Sequence, residues 1–316
     1  MKKLHVSAAP HINSGVSTSS IMRDVTIAML PTAIAAIVLF GLSALWIILV
    51  CVGTAVLSEF LFNLLTKKKQ TIFDFSAVVT GLLLALNLST KVPLWQCAIG
   101  SIFAIIVVKC LFGGIGKNIV NPAIAARVFM LLTFAAVAGG ANPINAEIVS
   151  GATPLVSLNQ GVGTEGIPSL LTLLLGNHGG AIGETCAITL LLGYIYLVAR
   201  KVIKWYVPFA FIATVFVCYL VFTGNVVYSL SHVLAGGLLL GAIFMATDYV
   251  TSPYTLKGKI VFGLGLGLIT MMIRVFGTMT EGVSYAILLM NLFVPYINQL
   301  TRQKPLGAPK KVKEAK

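Results

Sequence analysis

The chain reads as an all-α integral membrane protein of about ten transmembrane helices, arranged as two inverted five-helix repeats. Three observations predict this class. Hydrophobic residues make up 58% of the 316 positions and charged residues only 10%. The apolar residues gather into runs close to the ~20 that a helix needs to cross a hydrocarbon layer of about 30 Å. These runs fall five on either side of one long polar connection. A mean hydropathy of +0.97 excludes an ordinary soluble domain. Because an unpaired backbone group in lipid is costly, helix is the conformation such runs must take.

A polar arm over residues 1–20, with Pro10 and Gly15, precedes the first run. It has neither the apolar core nor the small-residue cleavage site of a removable signal peptide, so none is expected. Ser20 is placed to cap the first span, with Asp24 in its first turns at the favourable end of the helix dipole. The apolar windows then fall at roughly 22–40, 44–65, 73–89, 94–112 and 122–138 in a first repeat over 21–138, and at roughly 181–199, 205–223, 229–246, 260–276 and 283–300 in a second over 181–300. An odd number of passes in each half forces the second half to insert upside down relative to the first. The third and eighth windows are rich in Gly and Thr and are followed by Pro93 and Pro253, which predicts half-helices rather than full crossings. Two internal likenesses suggest duplication: Asp74 to Leu88 against Ser231 to Thr247, and Asn121 to Phe129 against Ser284 to Phe293.

The net charge of +13 is a topology signal, because the basic residues sit in short clusters between apolar runs. Eighteen of the 22 lie on one set of connections, including the tail at 301–316. That set is expected in the cytoplasm with both termini, and no nucleic-acid partner is implied. The opposite set holds Lys91, and Arg274 at an outer span end. Cys51, Cys97, Cys110, Cys186 and Cys218 each stand alone in apolar runs and read as packing residues. His5, His11, His178 and His232 are dispersed, so no metal site is expected. Gly263, Gly265 and Gly267 lie inside an apolar span with no strand before them and read as close helix packing, not as a dinucleotide loop. Glu59, Asp74 and Asp248 stand near cytoplasmic span ends, where hydration or capping accounts for them, while Glu184 and Glu281 stand near outer ends and are candidates for an ion route.

The connection at 139–180 carries Glu147 and Glu165 and no Lys or Arg, which places it outside. Residues 167–176 read as a short apolar helix with Pro168 in its first turn and Gly176 past its end, lying in the interface as a lid. Ahead of it stand Ser150, Gly151, Ala152 and Thr153, followed by Pro154. Two small neighbours and a proline that biases Thr153 to an extended backbone suit a hydroxyl that accepts a bulky group, although a plain surface turn has the same composition.

Four stretches carry a family resemblance: SAAPHINSGVSTSSIMRDVTIAMLP at 7–31, FGGIGKNIVNPAIAARVF at 112–129, SGATPL at 150–155 and GGLLLGAIFMATDYVTSP at 236–253. They resemble the membrane subunits comprising the D subunit of bacterial Rnf complexes, which are ion-translocating ferredoxin:NAD+ oxidoreductases, and the B subunit of the sodium-pumping NADH:quinone oxidoreductase. The resemblance implies a urea-channel-like fold, FMN joined through its phosphate to Thr153, and a second, non-covalent flavin, riboflavin, in the membrane part. It implies a flavin transferase as maturation partner and the other Rnf subunits as neighbours in the bacterial inner membrane. Glu147 stands where the transferase motif usually has aspartate, keeping the charge on a longer arm. Arg127, inside the fifth span, either pairs with an acid of the other half or holds a flavin or phosphate oxygen.

The reading is a subunit of a translocase that passes electrons through FMN and couples them to Na+ or H+ transport, with no catalytic residue of its own. Ferredoxin and NAD+ fall to other subunits, since the chain has neither a dinucleotide-binding motif nor iron–sulfur cysteine spacing. The alternative is a small-solute channel or secondary transporter without a redox group. The predicted topology is testable at Asn159: a cysteine placed there reacts with an impermeant thiol reagent in intact cells, whereas labelling seen only after lysis overturns the orientation.

Overall fold

The computed structural model describes residues 17–134, 155, 158, 169–277 and 281–303. Ser17 opens the first helix: its hydroxyl accepts the N–H of Ser20 at 3.2 Å, so α1 (Thr18–Phe40) begins before the cap predicted at Ser20. Gly41, at φ +69°, ends α1 and begins α2 (Leu42–Leu65), folding the chain back on itself with a single residue.

The third apolar window yields only α3 (Ser76–Leu86), whose 11 residues rise about 16 Å, roughly half the hydrocarbon thickness. Asp74 accepts the N–H of Ser76 at 2.8 Å and so caps its start. After Pro93 comes α4 (Leu94–Cys110), which widens to a π-helix over Phe103–Cys110. Asn121 caps α5 (Pro122–Thr133), with Pro122 in the first position that tolerates a missing N–H.

A short α6 (Leu170–Leu175) is capped by Ser169 and closed by Gly176 in the left-handed conformation. It spans six residues, and Pro168, expected in its first turn, lies outside the described residues. The second half runs through α7 (Ala187–Ala199), α8 (Tyr206–Thr223), α9 (Val226–Leu234), α10 (Leu238–Met245), α11 (Leu256–Phe276) and α12 (Val283–Leu300). α9 and α10 meet at 65° across Ala235, Gly236 and Gly237, and α10 is π-helical over Gly241–Met245. The half-helices expected from Gly, Thr and Pro content are therefore present in both halves.

Five described helices are long and apolar enough to cross a membrane, the bent α9–α10 pair counts as a sixth, and α3, α4, α5 and α7 are shorter apolar helices. The chain is a multi-pass, all-helical membrane protein. Large apolar side chains such as Val38, Leu42 and Val221 face outward, as they do where the surroundings are lipid. Lipid tails are as apolar as leucine, so helix association here rests on close packing rather than on burial from water. The glycines of α11 supply it. A Cβ on Gly263 would stand 2.7 Å from the Ala210 Cβ, and one on Gly267 would stand 2.5 Å from the Thr214 Cβ, which seats α11 directly on α8. Elsewhere α2 packs on α3 and α4, α1 on α7, and α5 on α12. Asp24 is not a solvated helix-start residue: it is buried on α1 and accepts from Arg200 at 3.3 Å and from the Tyr196 hydroxyl at 3.2 Å, both in the second half.

Replacing Gly263 by Leu should cost about 1–3 kcal/mol of stability by overpacking, while the same change at Gly53, where a Cβ meets nothing within 4 Å, should cost little. Heat-induced loss of the monodisperse species in detergent measures both, and equal losses would refute glycine-mediated contact as the basis of the α8–α11 pairing.

Candidate functional site

The broken helices leave backbone groups in the interior, and charged side chains gather on them. α3 stops at Asn87, whose amide donates to the Leu83 carbonyl at 2.7 Å and whose Oδ1 accepts from Arg127. The carbonyls of Leu86 and Leu88 at this end accept from Gly183 at 2.7 Å and Ile182 at 2.9 Å, so the segment before α7 covers the helix terminus. That segment also delivers Glu184, fully inside the protein, to Arg127 Nη2 at 3.0 Å. Glu281, just before α12, contacts the same Nη2 through Oε2. Its other oxygen accepts the N–H of Gly237, at the bend between α9 and α10, at 3.1 Å. A Cβ at Gly237 would stand 2.6 Å from Glu184 Oε1 and 3.0 Å from Glu281 Oε1, so a side chain there meets the tips of both carboxylates.

Arg274 completes the cluster from the last turn of α11. Its Nε donates to the Glu281 carbonyl at 3.1 Å, and its Nη atoms donate to the carbonyls of His232 at 2.6 Å and Ala235 at 3.4 Å, at the end of α9. Two guanidinium groups thus stand with two carboxylates, Glu184 buried and Glu281 partly buried, and such pairing is the condition under which buried charge is tolerated. The bland reading of Arg127, a pair with an acid of the other half, is what the structure shows. Among the described residues its Nε is buried without a partner, as are both ring nitrogens of His232, which stacks on Tyr219 at 3.8 Å between ring centroids. Glu184 and Glu281, predicted separately near outer span ends, are brought together by this one arginine.

Thr153, Ser150, Gly151, Ala152 and Glu147 lie outside the described residues. Two residues beyond Thr153, Leu155 is fully buried and packs with Leu158 and Ala235. The Tyr228 hydroxyl donates to the Leu158 carbonyl at 2.6 Å. Around Gly236, a Cβ would find Leu155 at 3.3 Å, Arg274 at 3.5 Å and Glu281 at 3.6 Å. The chain just after the predicted acceptor is therefore pinned onto the α9–α10 bend, against the ion cluster.

A second buried cluster lies at the other end of α3. Lys109, on the π-helical part of α4, pairs with Glu59 of α2 at 2.8 Å and donates to the Ser76 hydroxyl at 2.5 Å, while the Thr71 hydroxyl donates to Glu59 at 2.5 Å. Glu59 is thus a buried partner rather than a hydrated span end. Lys109 is missed when the sequence is read alone, although a lone lysine inside an apolar run is itself the signal. Lys109 and Ser76 line a cleft of about 760 Å³, counting its open mouth, together with Asn118, Asn121, Thr247 and Asp248. Asp248 holds the turn after α10, accepting from the N–H of Val250 at 3.3 Å and the Thr251 hydroxyl at 3.1 Å, and is not the helix cap expected, since Thr255 caps α11. Burial holds its carboxyl above the usual carboxylate range.

Removing one member of a buried ion cluster costs about 3–5 kcal/mol because the remaining charge loses its partner. Arg127→Met should accordingly destabilise the protein more than the triple change Arg127→Met, Glu184→Gln, Glu281→Gln. Thermal denaturation in detergent compares the two, and a triple variant as unstable as the single one would deny that charge balance holds this cluster.

The family model for the NQR2, RnfD, RnfE family matches residues 5–307. The chain is 44% identical over 316 residues to the D subunit of the Na+-translocating ferredoxin:NAD+ oxidoreductase complex of Acetobacterium woodii, covering 99% of this chain and 98% of the relative. It is 39% identical over 323 residues to the D subunit of the proton-translocating ferredoxin:NAD+ oxidoreductase complex of Clostridium ljungdahlii, with 96% of each covered. It is 35% identical over 332 residues to the D subunit of the ion-translocating oxidoreductase complex of Stutzerimonas stutzeri, with 92% of each covered. With a match along nearly its whole length, the chain belongs to the NQR2, RnfD, RnfE family.

Proposed function

We propose that the chain is the flavin-carrying membrane subunit of an ion-translocating ferredoxin:NAD+ oxidoreductase complex, working with the complex's other subunits and not catalytic alone. The names of its relatives support the complex and the translocation, one named for Na+ and another for protons. The proposed setting is a bacterial cytoplasmic membrane with both termini inside. The five long helices, the bent pair and the four shorter apolar helices divide five and five between the halves, with α3 too short to cross by itself. The contacts of α1 with α7 and of α5 with α12, first helix with first and last with last, are those a two-fold axis relating inverted repeats would produce.

FMN is assigned to the Thr153 hydroxyl, with Ser150, Gly151 and Ala152 as its small neighbours and Glu147 as the recognition acid for the flavin transferase. The observation that carries this is the pinning of Leu155 at the bend. Two residues of extended chain reach at most about 7 Å, which is compatible with an acceptor near the bend. The residues there fit such a group: a buried anchor fixes the chain, and Arg274 and Arg127 place positive charge nearby. When bound, the flavin supplies the electron-carrying chemistry. The chain's own residues hold the acceptor at the junction of the two halves, beside carboxylates whose charge is balanced only while both arginines stay in place. A riboflavin in the membrane part, without covalent attachment, completes the proposed cofactor set.

The test is co-production with a flavin transferase. The wild-type band should fluoresce under ultraviolet light after denaturing electrophoresis, the Thr153→Ala band should not, and the peptide over residues 128–200 should carry one FMN on Thr153 by mass spectrometry. Recovery of that peptide unmodified from a working complex would reject the flavin reading and return the chain to the class of solute pores.

A further inference from the structure

α8 and α11 touch through Gly263 and Gly267, but on their outward side the small Ala210, Ala213 and Thr214 leave a groove of about 910 Å³, counting its open side. Its walls are Trp205, Phe209, Val217, Ile260 and Leu264, all exposed. The groove is dry in character, for the Thr214 hydroxyl is already given to the Ala210 carbonyl at 2.6 Å. It follows α8 from Trp205 to Cys218, about 20 Å of helix, which is comparable to one leaflet of a bilayer.

Charge collects at one mouth only. Lys201 and Lys204 stand in the connection before α8, beside Trp205, and Lys257 and Lys259 stand in the first turn of α11. Among the described residues none of the four takes part in an ion pair. Lys204 adjoins Trp205 and Lys259 adjoins Ile260, so both flank walls of the groove at this end. A groove the length of one leaflet, ending in a cluster of uncompensated ammonium groups, is complementary to one kind of molecule. We propose that it is a binding site for an anionic phospholipid, with the headgroup phosphate between Lys204 and Lys259 and an acyl chain laid along α8 over Ala213. A neighbouring helix would fill the apolar part and leave the lysines unanswered.

The test uses the purified complex carrying this chain, equilibrated in detergent with equal amounts of phosphatidylglycerol and phosphatidylcholine and then examined by native mass spectrometry. Phosphatidylglycerol should be retained in preference, and Lys204→Gln with Lys259→Gln should lower its retention by at least about tenfold, as expected for two lysines near an anionic headgroup. Ala213→Trp, which fills the groove, should abolish retention in the same way, while Val38→Trp on the outward face of α1 should not. Excess inorganic phosphate should leave the lipid in place. A photo-reactive residue at position 209 should be recovered joined to lipid. Equal retention of both lipids, displacement by phosphate alone, or a cross-link from position 209 to another protein of the complex would each overturn the assignment.

Discussion

The structure depends on keeping the Arg127 guanidinium neutralised inside a membrane body. A cation there has no water to turn to, so every partner must come from the protein, and the partners come from three distant places: Asn87 at the end of α3, Glu184 before α7 and Glu281 before α12. Each of those positions is available only because a helix stops or a connection dips inward. Had α3 continued as a full crossing, Asn87 would lie within a helix and the segment that covers the Leu86 and Leu88 carbonyls would have no place. The short helix, the inward connection and the ion cluster are one solution to one electrostatic problem.

Much of this was readable beforehand, for a physical reason. Hydropathy reports where the backbone must be helical in lipid, and each of the ten apolar windows contains helix, although the third is α-helical only over Ser76–Leu86, the sixth only over Ala187–Ala199, and the eighth is interrupted at Ala235 to Gly237. Gly and Pro content reports where a helix fails, and α3 and the α9–α10 bend follow it. The same logic read the α11 glycines as a packing surface, which they are. Side-chain pairing was less legible. Glu59 and Lys109 are 50 positions apart and meet only after α2 and α4 have packed, so nothing local marks either as the other's partner. Asp24 looked like a helix-start charge because its partners on α7 are in the other half. The segment at 147–153 rests on its motif and on family membership, with Leu155 the nearest described point of attachment.

The two buried clusters share a plan. In each half a cation late in one helix reaches the end of a short or bent one: Lys109 of α4 reaches the start of α3 at Ser76, and Arg274 of α11 reaches the end of α9 at His232 and Ala235. Broken helices present unpaired backbone and hydroxyl groups that an unbroken helix would consume itself. A long helix can therefore deposit a charge only where another has been interrupted. Both halves also carry π-helical turns next to these contacts, at Phe103–Cys110 and Gly241–Met245, which shift side chains around the helix axis relative to an α-helical register.

Gly237 shows how closely the bend and the charge are joined. Its N–H is free to meet Glu281 because the helix is interrupted there, and its missing side chain leaves the space in which the oxygens of Glu184 and Glu281 lie. A larger residue there would have to displace the tip of one or both carboxylates. The anchor at Leu155 leans on Gly236, the adjacent residue of the same bend, so the segment that follows Thr153 and the ion cluster share a support one residue wide. A displacement of that bend cannot alter one without altering the other. This shared support would link any movement of the segment at Leu155 to the charge cluster at the bend.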